Sequence, residues 1–161
     1  LYTGLPQINT LKYQGFALHY KNIRLREEKV IRSNNVALRT LSPLLIEDEC
    51  GKPLAPSDPG YEKHVNYYAD LALREWRGTG LKEKLKAEPI KMKKQVIKES
   101  NREFRERTQD EQWLYFTAYS GLIRLNGHPE DLQLLYQLGL SKRSSQGFGL
   151  LEVETYNEKI Q

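Results

Sequence analysis

The residues best suited to chemistry lie in one loop near the C-terminal end of the sequence, between residues 139 and 149. The leucine-rich segment before it is predicted to be a helix ending at Gly139, because glycine adopts the left-handed conformation that stops a helix. The loop combines cations, hydroxyls and glycines: Lys142, Arg143, Ser144, Ser145, Gly147 and Gly149. Since glycine leaves its backbone amide unshielded, amides beside two cations predict a loop that cradles phosphate.

The order of the elements around this loop excludes one kind of phosphate site. An apolar strand is predicted to follow the loop from Gly149 to Glu154, so the chain runs helix, loop, strand. A mononucleotide P-loop runs strand, loop, helix and ends in Gly-Lys-Ser or Gly-Lys-Thr. The loop is therefore not an ATP site.

Positive charge is concentrated in one segment rather than spread over the chain. The net charge is +4 over 161 residues, and residues 82–107 alone contain ten Lys or Arg and five Glu. This segment therefore carries +5 and the rest of the chain −1. A local basic stretch on a near-neutral body is typical of proteins that bind a phosphate backbone, although a solvated polar hairpin gives the same pattern.

Two sequence motifs carry a resemblance to a known family. The glycine loop resembles the C-terminal glycine-rich signature of the CRISPR repeat-RNA endoribonucleases, the repeat-processing branch of the RAMP superfamily. The stretch Val36-Ala37-Leu38-Arg39-Thr40-Leu41-Ser42-Pro43-Leu44-Leu45-Ile46 resembles that family's threonine-leucine-serine-proline strand. Both motifs have the family's order and separation, and the resemblance covers roughly residues 36–155. The chain departs from the family at Ser141, where a second loop glycine is common.

The periodicity of the sequence predicts the fold independently of the resemblance. From Val36 onward the predicted elements run strand, helix, strand, strand, helix, strand. This βαββαβ order predicts an α+β, ferredoxin-like fold with two helices on one face of an antiparallel sheet. The resemblance implies that it is a RAMP domain. The first helix is predicted from Asp58-Pro59 to about Trp76, and a strand over residues 113–125, apolar on both faces, is expected at the centre of the sheet. The predicted apolar face of the first helix consists of Tyr61, Val65, Tyr68, Ala72 and Trp76.

The resemblance divides the chain into three parts. Residues 36–155 are expected to form the C-terminal ferredoxin-like domain, and residues 156–161 a tail. Residues 1–35 are expected to be the remnant of a preceding N-terminal ferredoxin-like half. Within that remnant, we predict a strand over residues 16–23, with residues 24–32 as its hairpin partner.

The family's reaction is RNA cleavage without a metal. The ribose 2′-hydroxyl attacks the adjacent phosphate, which leaves a 2′,3′-cyclic phosphate and a 5′-hydroxyl. The resemblance thus implies an endoribonuclease that binds CRISPR repeat RNA and releases guide RNAs, with effector-complex subunits or a second copy as further partners. Two alternatives stay open at this point: a non-catalytic RAMP subunit that holds guide RNA in an effector complex, and an interaction module with no role in RNA.

Three histidines are available as general acids or bases. His19, in the first predicted strand, is more typical of a structural or surface residue, but it is the best catalytic candidate of the three. His64 is expected to be solvated on the first helix, and His128 to cap the second helix. In the family, the catalytic histidine generally belongs to the N-terminal half, so no further catalytic residue is assigned.

The resemblance implies RNA contacts by two groups of residues. One is the glycine loop, with Lys142, Arg143, Ser144, Ser145, Gly147 and Gly149. The other is a predicted strand whose cations are expected to follow an RNA backbone: Lys91, Lys93 and Lys94.

No metal or cofactor is expected, since scattered histidines and one cysteine offer no ligand spacing. The acids of Glu47-Asp48-Glu49 are interpreted as solvated. The single cysteine, Cys50, favours a reducing cytoplasm. The first residues lack the features of a signal peptide, and no apolar run approaches the ~20 residues that span a bilayer.

Overall fold

The computed structural model of the protein describes residues 10–13, 15–19, 27–99 and 113–154. The helices and strands, in chain order, are β1 (Thr10–Tyr13), β2 (Phe16–His19), β3 (Asn35–Thr40), α1 (Tyr61–Arg77), β4 (Lys86–Glu99), β5 (Leu114–Asn126), α2 (Pro129–Leu138) and β6 (Leu151–Val153). Strands β1 and β2 form a two-stranded antiparallel sheet, and the other four form an antiparallel sheet in the order β4-β5-β3-β6. The chain from β3 to β6 is therefore the predicted βαββαβ unit, an α+β ferredoxin-like fold.

Both helices pack on one face of the four-stranded sheet. The main core joins residues of α1, α2 and three strands, among them Val65, Leu73, Leu132, Leu135, Leu38, Ile123 and Leu125, each with no exposed surface. A second, smaller core lies on the opposite face of β5, where Phe116 and Ala118 pack against Leu45 and Phe148. Strand β5 is thus buried on both faces and lies between β4 and β3, which confirms the prediction of a central strand.

Helix α1 has the predicted position, but its buried face differs in its second half. Gly78 ends the helix with φ +78°, and its N–H donates to the carbonyl of Arg74. The buried face continues through Ala69 and Leu73, whereas Trp76 is 67% exposed. The reason is that α2 packs along that side, where Arg77 pairs with Asp131 of α2 at 2.7 Å.

The prediction of a hairpin between residues 16–23 and 24–32 is wrong within the described residues. Strand β2 pairs instead with β1, and residues 27–32 form no strand. This segment runs beside α2, where the N–H of Ile31 donates to Oε1 of Gln133 at 2.7 Å. Residues 20–26 lie outside the described residues. So do residues 100–111, a polar segment that the sequence predicts to be a long hairpin loop.

Helix α2 begins as predicted. Nδ1 of His128 accepts a hydrogen bond from the N–H of Glu130 at 3.3 Å, and Pro129 occupies the first turn. This confirms His128 as the cap. Among the described residues, no helix is long and apolar enough to cross a membrane.

Candidate nucleic-acid interface

The two sequence motifs lie side by side and are joined by backbone hydrogen bonds. The N–H of Gly149 donates to the carbonyl of Pro43 at 2.9 Å, and the N–H of Lys142 donates to the carbonyl of Leu45 at 3.0 Å. A third bond runs from the N–H of Leu41 to the carbonyl of Leu150 at 2.8 Å. Motifs about a hundred residues apart in the sequence therefore form one structural unit.

Two glycines allow the loop to close on itself. Gly139 and Gly149 both have positive φ, +86° and +74°, and the carbonyl of Gly149 accepts from the N–H of Leu140 at 2.9 Å. A Cβ at position 149 would lie 2.3 Å from the carbonyl oxygen of Leu140. Glycine is therefore required there both by the backbone conformation and by the lack of space.

Ser141, the departure from the family pattern, fastens the loop to the neighbouring motif. Its side chain is buried, and Oγ accepts from the N–H of Leu45 at 3.1 Å and donates to the carbonyl of Leu45 at 3.2 Å. The hydroxyl of Ser141 thus forms hydrogen bonds with both backbone polar groups of Leu45.

The amides of the two later glycines do not form an open cradle. The N–H of Gly147 donates to the carbonyl of Ser144 at 2.9 Å, and that of Gly149 is used by Pro43. The exposed polar groups of the loop are instead side chains, those of Lys142, Ser144, Ser145 and Gln146. Sequence reasoning missed the second bond because the partner of the Gly149 amide, the carbonyl of Pro43, is distant in the sequence.

The two loop cations point to different sides of the fold. The ammonium of Lys142 forms an ion pair with Glu47, whose side chain is 9% exposed, and whose carbonyl accepts from the hydroxyl of Tyr68 at 3.2 Å. The guanidinium of Arg143 lies 4.3 Å from the ring centroid of Phe116, on the sheet face that the helices leave uncovered.

Two of the three predicted strand lysines share that open face with Arg143. Paired residues of antiparallel strands project their side chains to the same face. Lys93 pairs with Ser120 and Lys91 with Leu122, which lie four and six residues beyond Phe116 on the same side of β5. Six residues of strand span about 20 Å, so three cations are spread along one face.

Lys94 does not belong to this row. It pairs with Tyr119, whose side chain projects from the opposite face because side chains alternate along a strand. Lys94 therefore lies on the opposite face from Lys91 and Lys93, although its side chain is exposed.

Beside Lys91 and Lys93 the open face contains a shallow pocket of about 300 Å³, lined also by Arg39 and Ser120. Arg39 donates two hydrogen bonds to Glu154, at 2.7 and 2.6 Å, and this ion pair raises the pKa of its guanidinium.

The histidines occupy three separate environments. His19 is exposed, and its Nδ1 lies 3.1 Å from Oγ1 of Thr10 in the two-stranded sheet. His64, expected to be solvated, is buried, with Nε2 3.4 Å from Oε2 of Glu49. The reason is that the acidic loop after β3 folds back over this side of α1. Glu47 is buried with it, contrary to the interpretation of three solvated acids. No sequence signal indicated these contacts.

The described residues contain no group of three or more His, Cys, Asp or Glu side chains placed to hold a metal ion.

The comparisons with known proteins connect this geometry to a family. The sequence profile of the family described as CRISPR associated protein Cas6, C-terminal, matches residues 26–153. The chain belongs to this family. Its members are involved in the binding and processing of CRISPR RNA, and the resemblance of the two motifs to the repeat-RNA endoribonucleases is thereby confirmed. No curated protein matches the sequence.

Solved structures agree with the family at the level of the fold. A Cas6-related protein from Pyrococcus furiosus superposes with a TM-score of 0.67 and 20% identity, over 94% of this chain and 60% of that one. A structure described as a RAMP protein binding different RNA substrates gives 0.68 and 17%, over 94% and 61%. A CRISPR-associated Cas6 protein gives 0.68 and 16%, again over 94% and 61%. The chain thus spans about 60% of the length of these relatives.

Proposed function

We propose that this chain binds CRISPR repeat RNA and, together with an N-terminal half, cleaves it to release guide RNAs. The observation that carries the proposal is the joined pair of family motifs, which places Arg143 on the same sheet face as Lys91 and Lys93. Arg143 and the strand cations Lys91 and Lys93 form one basic surface next to the two motifs, whereas Lys142 lies on the other side of the loop. A surface of this kind attracts a phosphate backbone.

The residues of the glycine loop take different parts in binding. Lys142 and Arg143 neutralise backbone phosphates, and the exposed hydroxyls of Ser144 and Ser145 donate hydrogen bonds to phosphate or ribose oxygens. Gly147 and Gly149 shape the loop rather than bind, because their amides are already used. Lys91 and Lys93 of β4 extend the phosphate contacts of Arg143 along the open face of the sheet.

Cleavage without a metal needs the 2′-hydroxyl in line with the leaving 5′-oxygen. A base must remove the proton of the hydroxyl, and an acid must protonate the leaving oxygen. In the proposed reaction the cations of the glycine loop stabilise the extra negative charge of the phosphorane. In the family, the catalytic histidine generally belongs to the N-terminal half, and within this chain His19 is the weak candidate that we propose to test.

To test this proposal, the purified chain is incubated with end-labelled repeat RNAs in EDTA. Cleavage is measured on a denaturing gel, and binding is measured in a parallel assay. We expect binding that weakens linearly with the logarithm of salt concentration. Replacing Lys142 and Arg143 together by Ala should weaken it at least about tenfold, as expected for two lost phosphate contacts. Lys84→Ala, in the connection between α1 and β4, is the matched control and should bind normally.

The gel separates two outcomes of this experiment. One cut that leaves a cyclic phosphate supports the nuclease and makes His19→Ala the next variant. Tight binding without a cut supports a chain that holds RNA and needs its N-terminal half for chemistry. No binding to any repeat RNA would overturn the proposed function.

A further inference from the structure

A pocket lies beside the glycine loop, on the side opposite the basic sheet face. It has a volume of about 500 Å³ and lies between α1 and the acidic loop that follows β3. Lys142 belongs to both the pocket and the glycine loop. A pocket of this volume is within the range that binds small molecules, and it shares Lys142 with the proposed phosphate contacts.

One wall of the pocket is apolar and exposed. Tyr67 and Leu71 lie one turn apart on α1 and are 59% and 40% exposed. The ring of Tyr67 packs edge-on against that of Tyr68, with the centroids 5.2 Å apart. An exposed aromatic ring held by a neighbour, with an aliphatic side chain beside it, is the kind of surface on which single-stranded RNA bases stack.

The polar wall carries hydrogen-bond acceptors. Glu47 and Glu49 both line the pocket, and an ionised carboxylate only accepts hydrogen bonds. The hydrogen bond from Lys63, 2.6 Å from Oε1, lowers the pKa of Glu49 and keeps it ionised. Each carboxylate has about four lone-pair sites, so one lysine leaves acceptors available. Buried His64 lies behind Glu49 and limits where its carboxylate can lie.

The charge of the lining argues against an anion as the main occupant. Three carboxylates, of residues 47 to 49, oppose the two ammonium groups of Lys63 and Lys142. A free phosphate would meet more negative than positive charge. A neutral, flat ligand with N–H donors satisfies both walls, because its face stacks on Tyr67 and its edge donates to a carboxylate.

We propose that this pocket binds one unpaired base of the RNA, next to a phosphate held by Lys142, and prefers a base with an amino group over uracil. Guanine is the best match, because its N1–H and amino group are adjacent donors that suit one carboxylate. Uracil offers a single N–H between two carbonyls, which a carboxylate repels. This base pocket rests on the proposed function, because Lys142 lines the pocket and also belongs to the proposed phosphate contacts.

The first experiment titrates the chain with GMP, AMP, CMP and UMP while the histidine ring signals are followed by NMR. The sequence has only three histidines, so His19 and His128 act as internal controls in the same spectrum. We expect GMP to shift the ring signals of His64 and leave the other two unchanged. The dissociation constant for GMP should be at least about fivefold below that for UMP, in keeping with the discrimination of a bidentate base contact.

Two pairs of variants test the walls separately. Tyr67→Ala should weaken binding of all four nucleotides, whereas Trp76→Ala, an exposed aromatic of the same helix outside the pocket, should not. Glu49→Gln should remove the preference for GMP over UMP. Glu75→Gln, an exposed glutamate on the same helix that does not line the pocket, should preserve it.

The nucleotide titration does not depend on the repeat-RNA assay, so either proposal can be disproved without disproving the other. Equal affinity for GMP and UMP, or shifts of His64 that Tyr67→Ala leaves unchanged, would overturn the base pocket even if repeat RNA binds. Shifts confined to His64 and preferring GMP would sustain the pocket even if no repeat RNA is bound. If no nucleotide moves the His64 signals, the pocket is not a base site.

Discussion

Single backbone positions decide whether the glycine loop can form. Gly147 and Gly149 both have positive φ, +85° and +74°, but only position 149 lacks room for a side chain. Gly149→Ala should lower the free energy of unfolding by about 2–5 kcal/mol, since a left-handed alanine costs about 1–2 kcal/mol and crowding against Leu140 adds about 1–3 kcal/mol. Denaturant titration followed by circular dichroism measures the change.

Gly147→Ala is the matched control at this scale. A Cβ at position 147 would meet no atom within 4 Å, so only the conformational cost of about 1–2 kcal/mol is expected. Equal losses for the two variants would show that the contact between Gly149 and Leu140 does not limit the loop.

At the scale of the elements, one buried carboxylate connects the two helices. Asp131 of α2 has no exposed surface and accepts hydrogen bonds from Arg77 of α1 and from the N–H of Lys82, both at 2.7 Å. Asp131→Ala leaves Arg77 without its buried partner and should cost about 3–5 kcal/mol. Thermal and denaturant unfolding would measure this loss.

The adjacent Glu130 provides the comparison. Its side chain is 54% exposed and pairs with Lys82, and an exposed pair contributes little. The free energy of unfolding of Glu130→Ala should therefore be close to that of the unchanged protein. If it cost as much as Asp131→Ala, the helix connection would not depend on burial of the pair.

Sequence reasoning succeeded where local patterns decide the structure. The order of strands and helices followed from periodicity, and the helix cap at His128 from residue types around Pro129. It failed where the partners are distant in sequence. The contact of Lys142 with Glu47 joins residues 95 positions apart, and the burial of His64 depends on a loop that folds over α1. Neither contact produces a periodic pattern in the sequence.

At the scale of the whole molecule, the lysines of β4 are distributed over the two faces of the sheet. In the sequence, the net charge of +5 over residues 82–107 forms one stretch. In the structure, the alternation of side chains along β4 assigns each of its lysines to one face of the sheet. Lys91 and Lys93 join Arg143 on the open face, and Lys94 lies opposite. The proposed RNA-binding surface is therefore one face of the sheet, which the net charge of the segment alone does not indicate.

This division predicts different salt dependences for three single-lysine changes. Each phosphate contact on single-stranded RNA contributes about 0.7 to the slope of log affinity against log salt concentration. Lys91→Gln and Lys93→Gln should each reduce the slope by about that amount, and the double variant by about twice as much. Lys94→Gln has the same chemistry on the opposite face and should leave the slope unchanged. Fluorescence anisotropy of a labelled repeat RNA over a series of salt concentrations measures all four slopes. An equal reduction for Lys94→Gln would mean that RNA wraps both faces of the hairpin, and the single-face track would be wrong.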